Sequence, residues 1–469
     1  MLSVMKRFSF YITIGLLGIG SLQSCTKDFL DKKPISDALP EGITAEPLLE
    51  GAYGNMYDEY YTLDFVVNGD VMADNAYAGG DNAANFSIDK YTVNAANGNV
   101  KRDWGYLYTD IKNCNIVLAY VPTIIDRSLT EERRNQILGE ASFLRAWHYF
   151  NLVRSWKEAP LILDVPGTVA EMFPNKKPQA DIYAQIIKDL EFALPKVRQT
   201  TPDKTLISKG TVNALLAKVY AQQPVPDWAK VVQYCDAVTA LGYDLEGNFA
   251  NLFLTSTLNS KESIWETQYD GTVRQNWVAG MNTPFMWGDW KKFNIPSHTI
   301  VKAWDDEGDL VRKNASIKYV TPSWTDDYWP KPTPVIFKYA DPDGKSHTFR
   351  LRYADILLLK AEALVEQGKL DNATGAQFYI NKIRGRVGLG VTPAQTQAAL
   401  RLAVEKERQL ELAFEGHRMF DLIRTNRAVT IMNAQKDGNG NPLNYNVTTD
   451  KLYFPISQDE VDRNPNINK

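Results

Sequence analysis

Between Leu400 and Arg424 the chain runs LRLAVEKERQLELAFEGHRMFDLIR, gathering Glu405, Glu407, Glu411, Glu415, His417, Arg418 and Asp421 among apolar residues. Carboxylates beside a histidine are the materials of general acid and base catalysis. On packed helices the same residues can instead be ion pairs that hold two elements in register, and spacing separates the two. Arg401 and Glu405 are four apart and can pair on one helix face; Glu407 and Glu411 share a face in the same way. Two like charges on one face need cations, for which Arg408, Arg418 and Arg424 are the local candidates, with Gly416 breaking the helix between them. Buried charges are tolerated when paired. The stretch therefore reads as a structural network, with His417 a neighbour in the junction.

Other chemistries find less support. Asp437-Gly438-Asn439-Gly440-Asn441 starts like a calcium loop, but position six is Pro442 and position twelve Thr448, so a tight turn is expected. Gly385, Gly388 and Gly390 form no nucleotide fingerprint, and neither G-x-S-x-G nor H-E-x-x-H occurs. The histidines, His148, His298, His347 and His417, lie far apart and no Cys-x-x-Cys exists, so neither a metal site nor a cofactor is expected. Cys114 and Cys235, in apolar helical contexts, read as buried free thiols. A glycoside hydrolase is harder to dismiss, because it needs only two carboxylates at a suitable separation and the chain has 56 acids.

A net charge of -4 and a pI near 5.8 leave no polybasic footprint, which removes nucleic acid from the expected partners. Eleven Trp and 23 Tyr supply flat apolar faces with polar tips, useful for stacking and equally for core filling. At the N-terminus Lys6 and Arg7 precede a short apolar run, Phe8 to Gly20, too brief to span a bilayer. Leu22-Gln23-Ser24-Cys25 follows and resembles the lipobox of bacterial lipoproteins. Residues 1–24 are then a signal peptide, and Cys25 carries the lipid.

The elements that must position these residues are mainly helical. In RYADILLLKAEALVEQG, Ala354, Leu357, Leu358, Ala361, Leu364 and Val365 fall on one face, and Gly368 can end the helix. Ala373, Ala376, Ile380, Ile383 and Val387 repeat the pattern, making a helical hairpin. A similar pair joins Val212, Leu215, Leu216 and Val219 to Val231, Cys235 and Val238, with Pro224 and Pro226 between. Such pairs read as tetratricopeptide-like units. GEASFLRAWHYFNLVRSW is apolar on most sides, as a central buried helix would be, which makes Trp147 and Phe150 core residues; Trp104 reads the same way. Two stretches break the pattern. Residues 70–99 look like a long polar surface excursion, and in residues 247–349 periodicity fades while Trp, Pro, Asn and Asp accumulate.

Taken together, the lipobox, GEASFLRAWHYFNLV, LRYADILLLKAEALVEQG, LRLAVEKERQLELAFEGHRMFDLIR and the closing LYFPISQDEVDRNPNINK resemble the SusD/RagB family, in family order from Cys25 to the end. The resemblance implies a mostly α fold, with residues 25–469 as one domain. Its tetratricopeptide-like helical-repeat scaffold carries long irregular loop excursions that form the ligand face. It also implies a non-enzymatic, surface-exposed outer-membrane lipoprotein that binds nutrient, mostly glycan. Its partner would be a SusC-like TonB-dependent transporter, over whose mouth it sits as a hinged lid. A peptide ligand is the alternative. Ligand contacts lie in the family's most variable segments, so no binding residue carries over by motif. They are sought among aromatic and polar residues of the excursions, because sugar rings pack on aromatic faces while Asn, Asp and Arg bond the hydroxyls. The candidates are Asp74, Asn75, Tyr77, Asp81 and Asn82 in the first excursion, and Trp277, Trp287, Trp290, Trp324 and Tyr328 in the second.

Overall fold

The computed structural model describes residues 42–278, 292–325 and 327–468. The signal peptide and Cys25 lie outside them, as do Trp287 and Trp290. Two compact units divide the chain: residues 1–43 with Val165–Met172, and Thr44–Asp164 with Phe173–Lys469. Within the first, the described residues include one short 3-10 turn, Ala170–Met172.

The second unit is mostly helical. Its described α-helices of seven residues or more are α1 (Ala45–Gly54), α2 (Phe65–Val71), α3 (Ala83–Asp89), α4 (Gly98–Tyr120), α5 (Glu131–Trp156), α6 (Gln179–Ala193), α7 (Lys209–Gln222) and α8 (Trp228–Thr239). Then come α9 (His298–Glu307), α10 (Leu310–Ser316), α11 (Tyr353–Glu366), α12 (Ala376–Arg386), α13 (Gln397–Leu412) and α14 (Arg418–Arg424). The described strands are short and pair in twos: β1 (Ala76–Tyr77) with β5 (Ile295–Pro296), β2 (Ala159–Pro160) with β3 (Lys176–Lys177), β4 (Ser263–Thr267) with β8 (Thr348–Arg352), and β6 (Ile317–Val320) with β7 (Thr333–Ile336).

Local signals explain the helix pairs. Ser208 and Thr211 form a capping box at the start of α7, and Asp227 caps α8 by accepting from the Lys230 amide. Pro224 and Pro226 fall in the turn between them, where a helix cannot continue. Gly368, with φ of 74°, ends α11 in the left-handed region before α12 returns. Helix α5 packs against α4 and α6, α7 against α8, and α11 against α8, α12 and α13. From Gly139 to Trp156 every residue of α5 is buried, so this helix is the centre of the core as its all-round apolar sequence implies. Trp104, Trp147 and Phe150 are core side chains, and Cys114 and Cys235 are buried free thiols. Arg145 of α5 donates two bonds to Asp189 of α6, at 2.8 and 2.7 Å, which satisfies a guanidinium that burial would otherwise penalise.

The expectation that residues 70–99 form a surface excursion is corrected. Residues 70–78 are all buried, and Ala83–Asp89 is helical. Asp70, Asp74 and Asn75, which made its first part look exposed, are buried and bonded in the interior, while Asp81, Lys90 and Asn94 further along are exposed. The second excursion, 247–349, contains β4 to β7, the start of β8 and helices α9 and α10 among its described residues. Asp437 to Asn441 is a tight turn: the Asp437 carboxylate accepts from the Asn439 and Asn441 amides and from the Asn441 side chain, and Gly440 has φ of 85°.

Candidate functional site

The charged stretch is wholly buried where it carries most of its carboxylates. Arg352, the last residue of β8, donates through Nε to Glu415 (2.7 Å) and through Nη1 to Glu411 (2.7 Å) and Glu262 (2.9 Å). Arg312 of α10 reaches Glu407 at 2.7 Å and Glu411 at 3.2 Å, and Arg386 of α12 holds Glu411 and Glu262. Lys338 donates to Glu415 at 2.9 Å. The structural reading stands, but the pairing expected from local spacing does not. Glu407 and Glu411 take cations from distant segments, because Arg408 lies a hundred degrees round α13 from Glu407. Arg408 instead joins Asp421 (2.9 Å) to Asp355 (2.8 Å), and Arg424 joins Asp421 to Glu362. Arg401 pairs with Glu366 rather than Glu405, which meets Arg427.

This arrangement is unsuited to acid and base catalysis. Despite burial, the surrounding guanidinium groups hold the Glu411, Glu415 and Asp421 carboxyls below the usual carboxylate range. Burial, with Lys218 nearby, pushes His417 down to about 3, so its ring is neutral at physiological pH. A general acid needs the opposite shift.

What the network does is hold up the two excursions. Arg418 forks onto Asp74, with Nε and Nη2 bonds of 2.6 and 2.9 Å, and Gln409 donates to Asp74 at 3.0 Å and to Asn75 at 3.2 Å. Gly416, at φ of 77°, faces Gly69 of α2 so closely that a Cβ on Gly69 would stand 2.4 Å from the Gly416 carbonyl oxygen. Only glycine permits that approach. From this base β1 leads outward and pairs with β5, setting Tyr77 against Ile295. The Ser297 amide donates to the Asn75 carbonyl at 2.9 Å and its hydroxyl to the Asp74 carbonyl at 2.5 Å. The two excursions therefore meet.

Over that crossing lies a group of rings. Tyr328 covers Tyr77 with centroids 4.1 Å apart, and His298 lies 4.6 Å from Tyr328 and 3.6 Å from Trp329. Their tips are fixed: the His298 amide donates to the Tyr328 hydroxyl (3.1 Å), His298 Nε2 meets the Tyr328 carbonyl (2.8 Å), and Trp329 Nε1 donates to the Pro296 carbonyl (2.7 Å). The glycine turn packs here as well, since a Cβ on Gly438 would stand 2.7 Å from the His298 ring. Tyr328, Trp329 and His298 are half-buried, leaving a partly open aromatic surface with pinned side chains. Such a surface can stack an apolar ring face at little entropic cost.

The predicted site residues divide accordingly. Tyr77 and Tyr328 come together in the ring group, and Asp81 is exposed three residues beyond Ala78. Asp74 and Asn75 are withdrawn as ligand contacts, because both are buried and already bonded beneath the crossing. Asn82 is also reassigned: its side-chain carbonyl caps α3 through the Ala84 and Asn85 amides. Trp324 is only 3% exposed, with Lys292 Nζ 4.4 Å over its ring, which makes it a supporting residue. Trp277 is 51% exposed, on a segment anchored by Asn276 to Ser346 and Thr348. Trp329 and His298 were missed. The adjacent Tyr328-Trp329 pair was a usable signal, whereas nothing local marks His298.

Beneath the rings, Asp89 is buried and the Tyr445 hydroxyl donates to it at 3.4 Å. Burial pushes its carboxyl up to about 8, against about 4 for an exposed aspartate. A group raised in this way contributes stability that is complete below pH 4 and lost as pH rises through 8. Asp89→Asn is therefore expected to be more stable than the parent at pH 8, by on the order of 2 kcal/mol, with a flatter decline between pH 6 and 8 in urea titrations.

Comparison with known proteins agrees with this architecture. Residues 285–469 match the model described as the SusD family, and residues 28–221 match one described as starch-binding, associating with outer membrane. The chain belongs to the SusD/RagB family. It is 26% identical to the SusD-like protein P2 of Formosa agariphila, over 99% of both chains. Among solved structures, a laminarin-binding SusD-like protein superposes with a TM-score of 0.72 at 22% identity, over 90% of this chain and 97% of that one. The surface glycan-binding protein A from Bacteroides fluxus does so with 0.75 at 22%, over the same shares. No helix among the described residues is long and apolar enough to cross a membrane.

Proposed function

We propose that this protein is a non-enzymatic outer-membrane lipoprotein, anchored through Cys25 and exposed at the cell surface, that captures an oligosaccharide for uptake. Residues 25–469 act as one SusD-like module behind the signal peptide of residues 1–24. Captured glycan passes to a SusC-like TonB-dependent transporter, over whose mouth the protein closes as a lid; the energy of import belongs to the transporter. The observation that carries this reading is the pinned aromatic surface at the crossing of the two excursions, where Tyr328 overlies Tyr77 beside His298 and Trp329. Sugar rings offer apolar C–H faces to such a surface, and Asp81, exposed four residues beyond Tyr77, offers a carboxylate for hydroxyl groups. Trp277, exposed on its anchored segment, is a further stacking candidate, and Trp287 and Trp290 are candidates by residue type alone. Glycan-binding names among the family's solved structures support the same ligand class.

A hydrolase is disfavoured by the pairing of the carboxylates in the network. Incubation with candidate glycans is expected to release no new reducing ends. A glycan array and a peptide library, probed with the purified chain, decide the ligand class: oligosaccharide binding is expected, and affinity for peptides alone contradicts the proposal.

A further inference from the structure

A concave surface separate from the ring group is lined in part by Tyr91, which packs against Tyr445. Tyr445 is flanked by Asn444 and Asn446, both with positive φ, and its ring is 6.1 Å from that of Tyr91. Burial raises its phenol, and Asp89, Tyr328 and Tyr91 add to the effect in that order, so it lies within electrostatic reach of both surfaces. Beyond Tyr91 is a groove of about 570 Å³, its walls including Trp156, Tyr453 and Phe454 and its rim Lys157 and Glu158.

The rim is built at a conformational cost. Helix α5 stops at Trp156, and Lys157 takes φ of 68° and ψ of -49° while the Glu158 amide donates to the Trp156 carbonyl at 2.8 Å. That is the strained, positive-φ form of the three-residue γ-turn. A lysine there is disfavoured where glycine would fit. Tyr91, on the groove's other wall, is also a positive-φ residue, at 55°. Two bulky side chains in strained conformations thus face one groove. The Lys157 turn sets its ammonium 5.6 Å over the half-buried Tyr453 ring. Glu158 is fixed by Lys176 at 3.0 Å. Trp156 and Phe454 meet edge to face behind them, with centroids 5.5 Å apart. Aromatic wall, exposed cation and fixed carboxylate are together a donor and acceptor set for a hydroxylated ring.

We infer that this groove is a second saccharide subsite, in which a pyranose ring packs on Tyr453 while Lys157 and Glu158 bond its hydroxyls. The inference rests on the glycan reading above and adds to it a preference for chains long enough to reach past Tyr445.

The test uses the purified full chain, a glycan array of neutral and acidic oligosaccharides of two to ten units, and calorimetry on the best array hit and its shorter homologues. Two variants are compared with the parent, Lys157→Gly and Tyr453→Ala. Lys157→Gly relieves the strained turn, so its thermal midpoint is expected to equal or exceed the parent's, which separates binding from folding. Each variant is expected to bind the longest hit roughly three- to tenfold more weakly, with little change for the shortest. Parent-like affinity of Lys157→Gly at every length overturns the subsite while leaving the glycan reading intact. An array on which the parent binds no saccharide overturns both.

Discussion

Replacing Arg352 with alanine is expected to remove about 3–5 kcal/mol of stability, enough to lower folded yield sharply, as measured by urea unfolding of the purified variant. The size follows from what is left behind. Glu262, Glu411 and Glu415 all accept from this one guanidinium, and all three are buried. Arg386 and Arg312 still face Glu411, but among the described residues Glu415 keeps only Lys338 as a cationic partner. The pH dependence has a definite sign. The folded-state carboxyls of Glu411, Glu415 and Asp421 lie below their unfolded values, so their contribution is present above about pH 4 and is lost only as pH falls through those lower values. The parent fold should consequently keep this part of its stability through mild acid.

Asp74→Ala is the second large effect, and it separates two readings of one residue. As a ligand contact Asp74 would cost affinity and spare the fold. Its position opposite Arg418, 4% exposed and bonded at 2.6 and 2.9 Å, predicts the reverse order. Loss of about 3 kcal/mol in urea unfolding is expected, because among the described residues the buried Arg418 then retains only the Glu405 carboxylate, at 3.6 Å. Any affinity loss should follow from loosening of the crossing above, where Ser297 bonds the Asp74 and Asn75 carbonyls.

These residues show what could be seen in the sequence. Helix pairs were legible wherever a 3.6-residue period ran between caps and breakers, as in α7 to α8 and α11 to α12. The paired character of the charged stretch was legible from its spacing, but its partners were not. Arg312, Arg352 and Arg386 come from a helix, a strand and a second helix whose approach only the tertiary fold creates. Asp74 and Asn75 misled for the same reason: a run of Asp, Asn and Gly looks solvated until buried cations are known to face it. At the ring group, Tyr77 and Tyr328 were chosen by type, yet their contact depends on β1 pairing with β5, strands of two residues each that no periodicity can announce. His298 joins them only because that pairing places the start of α9 beside Tyr328.

In the proposed function, this aromatic crossing, supported by the buried network, is where glycan is captured. It is tested most directly by calorimetry of Tyr328→Ala against the oligosaccharide that binds the parent best, with circular dichroism recorded on the same sample. Unchanged helicity with affinity lowered by roughly tenfold is the expected result, since the variant removes the ring that covers Tyr77 and borders His298. Parent-like affinity in a folded Tyr328→Ala protein would contradict the account and move glycan capture away from the crossing.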